Sequence, residues 1–420
     1  MSTARQGRVT KEQLAINGGP KVRTAPFEKK GNRYAFNELE QLKEALDQGT
    51  LFYWHGRKVR SMCERFAGML GVRYAVAGSS CSAVIHAAVA ALGIDPGDEV
   101  ITSPITDAGT VIGVLYQHGI PVFADLDPDT YTMTADTIAR KITPRTRGII
   151  AVHLWGNPCP MDEILQLARA RGLWVLEDCA QAIWARYKGK LVGTMGNAGA
   201  FSFNEFKHLA CGDGGVVVTN DEKAYRLCHL YVDKAYDRFG GGRAPEFLAP
   251  NYRMTELQGA VIHAQLDRIE QIVSGYRKYA LTLREGLKDL PAVAVPKETP
   301  GSDPVYWFYL PRLRLDKLSC TRDEFAAAVT AEGVQCGAGY VTSTVYQQPY
   351  LGEHKAFGKS GLPWSLGNDV QYRTGDCPTA EKINAESVIL PISDRLGEQE
   401  AADTVAAIRK VHDHFYDSSR

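Results

Sequence analysis

The chain lacks an excess of charge of either sign and lacks a long hydrophobic run. It has 48 Lys plus Arg and 48 Asp plus Glu in 420 residues, a balance that argues against nucleic acid or an anionic membrane as its main partner. The longest nearly apolar stretch, residues 83–94, contains a histidine and is too short to span a bilayer. The first residues are polar and basic, without the apolar region of a secretory signal. We therefore expect a cytoplasmic protein.

Closely spaced cysteine pairs are also missing. The nine cysteines are scattered from Cys63 to Cys377 without the spacing of a zinc site, and the histidines are dispersed. We expect reduced thiols and no metal site. Apolar residues make up 45% and charged residues 23%, which is ordinary for globular proteins, and the length predicts two or three domains.

Short apolar segments alternate with helical patterns in the first part of the chain. Nearly continuous apolar strands of this kind predict βαβ units and a mostly parallel sheet covered on both faces. One helix is predicted from Thr255 towards Leu290, followed by an edge strand over 306–315. We expect an N-terminal arm (1–36), a large α/β domain (37–265) and a small C-terminal α+β domain (266–420). The strands are predicted at 74–78, 98–103, 121–126, 147–155, 173–178, 198–203 and 214–220.

Chemically versatile side chains follow several of these strands. Ligands of open parallel sheets bind at the carboxyl ends of the strands. Asp178 ends one strand, where a carboxylate can meet a cationic ring nitrogen or simply cap a helix. Lys207 follows another, and can form a Schiff base if burial lowers its pKa, although most single lysines are solvated. The turn Ser80-Cys81-Ser82 precedes a helix and can bind phosphate or serve only as a cap. Each signal alone is compatible with an ordinary structural role.

The order of several motifs along the chain is far more specific than any one of them. Together they resemble the DegT/DnrJ/EryC1/StrS family, the sugar and cyclitol aminotransferases that bind pyridoxal 5′-phosphate. This resemblance implies PLP-dependent transferase fold type I, which is aspartate aminotransferase-like. The motifs are LAINGGPKVR (14–23), AVHLWGNPCPMD (151–162), EDCAQA (177–182), GAFSFNEFKH (199–208), NYRMTELQGAVIHAQL (251–266) and ESVILPIS (386–393).

The resemblance implies catalytic roles for two residues. Lys207 would form the Schiff base with the cofactor aldehyde and then shuttle a proton between substrate and cofactor carbons. Asp178 would pair with the pyridine nitrogen and keep it protonated, so that the ring accepts electrons. Gln181 would lie near the ring oxygen or above the ring face.

It also implies a phosphate site and a homodimer with shared active sites. Ser202 would hold the phosphate together with the turn Cys81-Ser82. Asn251 would reach the phosphate of the neighbouring subunit's cofactor. The SCS turn departs from the SGT of many members, so Cys81 needs backbone room that the usual glycine provides.

The reaction implied is transfer of an amino group, typically from glutamate or glutamine, to a keto sugar or keto cyclitol with ping-pong kinetics. The alternatives are a dehydratase or another lyase on the same fold, and a non-catalytic PLP-binding regulator. Related dehydratases replace the lysine with histidine, whereas here Lys207 is present and His208 is its neighbour. This favours transamination.

The acceptor pocket is where the chain departs most from the family pattern. Asp107 stands where many members carry an aromatic residue that stacks on the cofactor. Trp184 follows the AQA motif in place of the common His-Gly, and core packing is its alternative role. The candidate pocket residues are Tyr53, Trp54, Asp107, Trp184, His208 and Tyr340.

Overall fold

A seven-stranded sheet forms the centre of the computed structural model, which describes residues 9–34, 36–240 and 244–419. The sheet order is β1-β9-β8-β5-β4-β2-β3 once the strands are numbered along the chain as given below. Strands β2, β3, β4, β5 and β8 run parallel, whereas β9 is antiparallel to both β1 and β8. The predicted mostly parallel sheet is confirmed. The seven strands are β1 (Tyr74–Gly78), β2 (Glu99–Thr102), β3 (Ile120–Phe123), β4 (Thr146–Val152), β5 (Trp174–Asp178), β8 (Ala198–Ser202) and β9 (Gly215–Thr219). Two short strands between β5 and β8, β6 (Arg186–Tyr187) and β7 (Lys190–Leu191), belong to a separate small sheet.

Helices cover the sheet, so its strands are apolar along their length rather than alternating. In β4, for example, Ile149, Ile150 and Ala151 are all fully buried. The helices of this part are α1 (Glu38–Asp47), α2 (Lys58–Leu70), α3 (Cys81–Leu92), α4 (Gly109–Tyr116), α5 (Ala135–Ala139), α6 (Met161–Arg171) and α7 (Glu222–Val232).

The helix predicted from Thr255 to Leu290 is wrong as a single element. The structure has α8 (Glu256–Gln265) and α9 (Ile269–Leu287), separated by a 3-10 turn over Leu266–Arg268. Gly275 lies inside α9, where a Cβ would lie 2.7 Å from the Cα and Cβ of Asp394. A larger residue would therefore clash with Asp394 at this position. The break falls at the predicted boundary between the two domains, a division that stays a prediction.

Small antiparallel sheets and helices make up the C-terminal part. The predicted edge strand at 306–315 is instead two short strands separated by Leu310 and Pro311, and a proline has no N–H for a ladder. Strand β12 (Phe308–Tyr309) pairs with β15 (Val388–Pro391), which also pairs with β14 (Gly337–Ala338). Strand β10 (Val293–Ala294) pairs with β13 (Arg312–Leu313), and β11 (Ser302–Asp303) pairs with β6. No helix of the described residues is long and apolar enough to cross a membrane. The elements are β10 (Val293–Ala294), β11 (Ser302–Asp303), β12 (Phe308–Tyr309), β13 (Arg312–Leu313), α10 (Arg322–Ala331), β14 (Gly337–Ala338), α11 (Pro349–Gly352), α12 (Pro378–Glu386), β15 (Val388–Pro391) and α13 (Glu398–Phe415).

One edge of the central sheet collects the predicted site residues. Asp178 is the last residue of β5 and Ser202 the last of β8. At the start of the antiparallel β9, Gly215 pairs with both Gly78 and Ser202. A Cβ on Gly215 would lie 2.6–2.7 Å from backbone atoms of Ser80 and Cys81. Glycine at this position therefore lets the turn before α3 sit against the sheet.

Candidate active site

A cavity of about 350 Å³ opens at this edge of the sheet. It brings together six of the residues singled out from the sequence, which come from five separate segments. Trp307, from the C-terminal part of the chain, also lines this cavity. The six residues are Cys81, Ser82, Asp107, Asp178, Ser202 and Lys207.

Asp178 is a buried carboxylate whose hydrogen-bond donors are neutral groups. Its Oδ1 accepts a hydrogen bond from the N–H of Ala180 at 3.0 Å, and its Oδ2 accepts one from Thr110 Oγ1 at 2.7 Å. Burial raises the pKa of Asp178, and these two hydrogen bonds oppose the rise. Lys207 lines the same cavity and its charge also lowers the pKa of Asp178, but no salt bridge joins Asp178 to a described Lys, Arg or His. Since a buried charge is costly without a partner, the carboxylate is suited to a cationic ligand atom.

Lys207 is the lysine of the cavity, and it is only 9% exposed. Its Nζ lies 3.2 Å from the centre of the Trp307 ring. Burial lowers the pKa of Lys207 to about 8, and the charge of Asp178 only partly offsets this effect. A lysine with such a pKa is partly neutral near physiological pH, as a nucleophilic amine must be.

The loop that carries Lys207 is held by two residues distant in sequence. Trp307 Nε1 donates a hydrogen bond to the carbonyl of Phe206 at 2.7 Å. The guanidinium of Arg33 donates to the carbonyls of Glu205, Lys207 and His208, the last at 2.9 Å. These contacts fix the backbone on both sides of the lysine. Sequence reasoning missed both residues, because no local pattern signals a contact to a loop so far along the chain.

The first turn of α3 offers free backbone donors to the cavity. Ser80 Oγ accepts from the N–H of Ala83 at 3.1 Å, whereas the N–H groups of Cys81 and Ser82 have no acceptor within the helix. The helix dipole adds positive potential at this point. Ser202 adds a hydroxyl, whose oxygen accepts from the N–H of Asn204 at 3.3 Å. This arrangement can bind a phosphate group.

Comparison with known proteins assigns the family. The family model described as the DegT/DnrJ/EryC1/StrS aminotransferase family matches residues 33–409. The chain belongs to this family. Its sequence is 32% identical over 399 residues to a putative L-glutamine:3-amino-2,3-dideoxy-scyllo-inosose aminotransferase of Streptoalloteichus tenebrarius, covering 93% of this chain and 91% of that protein.

Solved structures of this family's fold agree with the architecture. An aminotransferase from Psychrobacter cryohalolentis superposes with a TM-score of 0.80 at 31% identity, covering 90% of this chain and 96% of that one. An E. coli GDP-4-keto-6-deoxy-D-mannose-3-dehydratase has a TM-score of 0.79 at 22% identity, covering 93% and 100% of the two chains. The second likeness concerns the fold alone, and shows that dehydratases share it.

Pyridoxal 5′-phosphate is the cofactor of this family, and the cavity that contains Lys207 fits it. A carboxylate without a salt-bridge partner among the described residues, a buried amine of lowered pKa and a helix end with free first-turn amides lie in one cavity. These are the groups needed by a ring nitrogen, an aldehyde and a phosphate. Asp178, Lys207 and the turn at Cys81-Ser82 would hold the cofactor.

Two predicted cofactor contacts lie just outside the cavity lining. The side chain of Gln181 accepts from the N–H of Trp155 at 2.7 Å and donates to the Tyr340 hydroxyl at 3.1 Å. Asn251 is exposed, and its neighbour Tyr252 accepts from the N–H of Ser79 at 2.6 Å. The Asn251 segment is therefore adjacent to the turn before α3. The roles of Gln181 and Asn251 toward the cofactor stay predictions.

Five of the six pocket candidates do not line the Lys207 cavity of their own chain, and four of these five have other surroundings. Tyr53 and Trp54 line a separate cavity of about 580 Å³, where the Tyr53 hydroxyl donates to Asp233 Oδ2 at 2.7 Å. Trp184 is buried and donates from Nε1 to Glu270 Oε1 at 2.6 Å. His208 is buried with its ring centre 4.4 Å from that of Tyr276, and burial lowers its pKa to about 3.

Asp107 and Tyr340 are the pocket candidates near the cavity. Asp107 lines it directly. Tyr340 lies next to it: burial is the main cause of the rise in its pKa, and the nearby charges of Asp107 and Asp178 add to that rise. Tyr340 also packs against Trp307, with ring centres 5.7 Å apart. The structure thus places these two near Lys207 and Trp307.

His153, Glu177 and Cys179 form a buried group with the spacing of a metal site. The ligand atoms of Glu177 and His153 are already engaged in hydrogen bonds. Glu177 accepts hydrogen bonds from the N–H groups of Gly193, Met195 and Gly196 at 2.7–2.8 Å. His153 Nδ1 accepts from the N–H of Cys159 at 3.0 Å, so Nε2 carries the proton and donates to Glu177 at 3.1 Å. These hydrogen bonds give His153 and Glu177 a structural role.

Proposed function

We propose that the protein is a PLP-dependent aminotransferase that moves an amino group from glutamate or glutamine to the ketone of a sugar, cyclitol or related natural product. The observation that carries this proposal is the pairing of Lys207 and Asp178 in one cavity. A buried amine with a pKa of about 8 and a buried carboxylate without a salt-bridge partner among the described residues are both costly unless a ligand uses them.

The described residues divide the work of the reaction among them. When bound, the cofactor supplies an electron sink for the bond that breaks at the amino-bearing carbon. Asp178, oriented by Thr110, holds a proton at the ring nitrogen. Lys207 Nζ moves the proton from the α-carbon of the donor, and Trp307 restricts the position of that nitrogen. The first-turn amides of α3 bind the phosphate.

The overall transfer balances without another reactant. The amino acid becomes a 2-oxo acid and the ketone becomes an amine. One water enters in the first half-reaction and one leaves in the second. Because the two half-reactions share one site, the kinetics are ping-pong.

The donor and the acceptor class are proposed from the similar proteins and from the site. The Streptoalloteichus tenebrarius relative is named for a glutamine donor and a cyclitol ketone acceptor. We place the enzyme in natural-product, including antibiotic, biosynthesis in the cytoplasm. We also propose that it acts as a homodimer in which Asn251 of each subunit reaches the other's cofactor.

A half-reaction screen tests the proposal. The PLP-loaded protein is mixed with glutamine, glutamate and other amines, and loss of the cofactor absorbance band is followed by its recovery on addition of candidate ketones. Lys207→Ala should lose turnover, whereas Lys188→Ala, at an exposed surface lysine, should retain it. Full turnover by Lys207→Ala would refute the proposal.

Product analysis separates the alternatives. A new C–N bond supports transamination, whereas loss of oxygen from the sugar without nitrogen transfer supports a dehydratase. A protein that binds the cofactor but never exchanges nitrogen with any amine would be a regulator. Lys207 at the position where related dehydratases carry histidine favours the first outcome.

A further inference from the structure

The side-chain amide of Gln181 is held at both ends beside the Lys207 cavity. Its Oε1 accepts a hydrogen bond from the N–H of Trp155 at 2.7 Å, and its Nε2 donates one to the hydroxyl of Tyr340 at 3.1 Å. The residue is only 3% exposed. Because one partner is a donor and the other an acceptor, the two bonds fix which end of the amide faces which neighbour. The orientation of Gln181 therefore depends on two residues that are distant in the chain.

Trp155 meets Gln181 through a strained backbone. Trp155 is fully buried and has φ 51° and ψ 13°, in the left-handed region that bulky residues rarely adopt. In this conformation its N–H donates to Gln181, and its carbonyl accepts a hydrogen bond from the N–H of Trp307 at 3.0 Å. Strained backbone of this kind is concentrated at functional sites. The backbone of Trp155 thus links Gln181 to the tryptophan whose ring lies against Lys207.

Tyr340 joins the same two residues through its side chain. Its ring packs edge-on against the ring of Trp307, with the ring centres 5.7 Å apart and the planes at 83°. Its hydroxyl accepts the hydrogen bond from Gln181. Tyr340 follows β14 in the C-terminal part of the chain, whereas Gln181 follows β5 of the central sheet. One side chain from the C-terminal part therefore contacts two residues beside the cofactor cavity.

Trp307 carries the effect of these contacts to the reactive lysine. Its ring centre lies 3.2 Å from Lys207 Nζ, and its Nε1 donates to the carbonyl of Phe206, the preceding residue. A displacement of the Trp307 ring would admit water to the amine. The position of Trp307 is set by its backbone bond to Trp155 and by the ring of Tyr340.

We propose that Tyr340 is a positioning residue for cofactor capture: its hydroxyl orients the Gln181 amide, and its ring holds Trp307 against Lys207. This inference rests on the proposed function, because it takes Lys207 as the amine that captures PLP. Tyr340 acts through its two neighbours, and we assign no bond-making or proton-transfer step to it.

Packing of the C-terminal part is the competing role of Tyr340, and three variants distinguish the two. Tyr340→Phe removes the hydroxyl and keeps the ring, whereas Tyr340→Leu removes both. Tyr309→Phe is the matched control. The hydroxyl of Tyr309 is also buried, but it has no hydrogen-bond partner among the described residues.

The first experiment titrates each full-length apoprotein with PLP and measures the pH midpoint of capture. Tyr340→Phe should weaken PLP binding about fivefold, the loss of one neutral hydrogen bond, because Gln181 is predicted to contact the cofactor ring. Its midpoint should match the wild type, since Trp307 stays in place. Tyr340→Leu should in addition move the midpoint to higher pH, because water then reaches the amine. Tyr309→Phe should change neither quantity.

A second experiment asks whether the hydroxyl acts through Gln181. Residues that act through one contact have non-additive effects, so Tyr340→Phe should change PLP affinity by less than about twofold in a Gln181→Leu background. Fully additive losses would overturn this part of the inference. The cycle uses variants that keep the aromatic ring of Tyr340, so it decides the question even if Tyr340→Leu does not fold.

Three further results would overturn the inference. They are an unchanged PLP affinity in Tyr340→Phe, an unchanged midpoint in a folded Tyr340→Leu, and an equal loss of affinity in Tyr309→Phe. In each of these the wild type still captures PLP through Lys207, so the proposed function survives. If the wild-type apoprotein captures no PLP and exchanges nitrogen with no amino acid, the proposed function fails and this inference fails with it.

Discussion

The guanidinium of Arg33 donates a hydrogen bond to the backbone carbonyl of Lys207. Arg33 also holds the carbonyls on either side, at Glu205 and His208. In turn Arg268 donates to the carbonyl of Arg33 at 3.3 Å. The segment before α1 thus holds the backbone at Lys207, although it lies more than a hundred residues earlier in the chain.

Replacing Arg33 with alanine is expected to weaken cofactor binding by at least about tenfold, because hydrogen bonds to three carbonyls are lost at about 1 kcal/mol each. Titration of the apoprotein with PLP, followed by absorbance, measures this. Arg33→Lys should recover part of the affinity. Arg395→Ala is the control, since Arg395 donates to the carbonyl of Gly31 at 3.2 Å and to none in the lysine loop. An unchanged affinity in Arg33→Ala would contradict the role.

The pKa of Lys207, lowered to about 8, predicts how cofactor capture depends on pH. Only the neutral amine attacks an aldehyde, so the rate of capture should rise with pH and level off above about 8. Stopped-flow absorbance of apoprotein mixed with PLP measures the midpoint. A midpoint near the ordinary lysine value would show that the amine is solvated and would contradict the geometry.

Trp307 variants test the cause of that lowered pKa. Trp307→Ala opens the amine to water, so the midpoint of capture should move to higher pH. Trp307→Phe keeps a ring beneath Nζ and loses only the hydrogen bond to Phe206, so its midpoint should move less. Equal shifts in both variants would assign the effect to the hydrogen bond instead of the ring.

Thr110→Val should move the acidic limb of the pH–activity profile to higher pH. The Thr110 hydrogen bond lowers the pKa of Asp178, against the rise caused by burial. Without it the carboxyl takes up a proton at higher pH, and the ring nitrogen loses its anionic partner. The profile of kcat/KM measures this limb. Thr106→Val, which removes only the neighbouring hydroxyl at 2.7 Å from Thr110, should shift it less; an equal shift would refute a direct role for Thr110.

Glu177→Gln should lower the free energy of unfolding by about 3 kcal/mol, because an amide N–H₂ would face backbone donors inside the protein. Chemical denaturation measures the change. Glu163→Gln provides a surface comparison, since the carboxylate of Glu163 accepts a 3.3 Å hydrogen bond from Tyr187. If both variants unfold alike, Glu177 does not anchor the 193–196 loop.

The sequence alone determined the sheet strands and singled out Asp178 and Lys207, the central pair of the candidate site. Continuous apolar runs ending at Asp178 and before Lys207 are local signals, since a strand buried on both faces must be apolar throughout. All seven predicted strands of the central sheet are present, each within a few residues of its expected bounds. The break between α8 and α9 was missed, because helical periodicity continues through it.

Only the tertiary structure decided which distant residues meet at that pair. Thr110 reaches Asp178, and Arg33 and Trp307 reach the Lys207 loop, because of the strand order and the packing of the C-terminal part against the sheet. Local sequence encodes the periodicity of each element, whereas contacts across many residues depend on how all the elements bury their apolar faces together. The same reason explains why Tyr53 and Trp54 line another cavity while Asp107 lines that of Lys207.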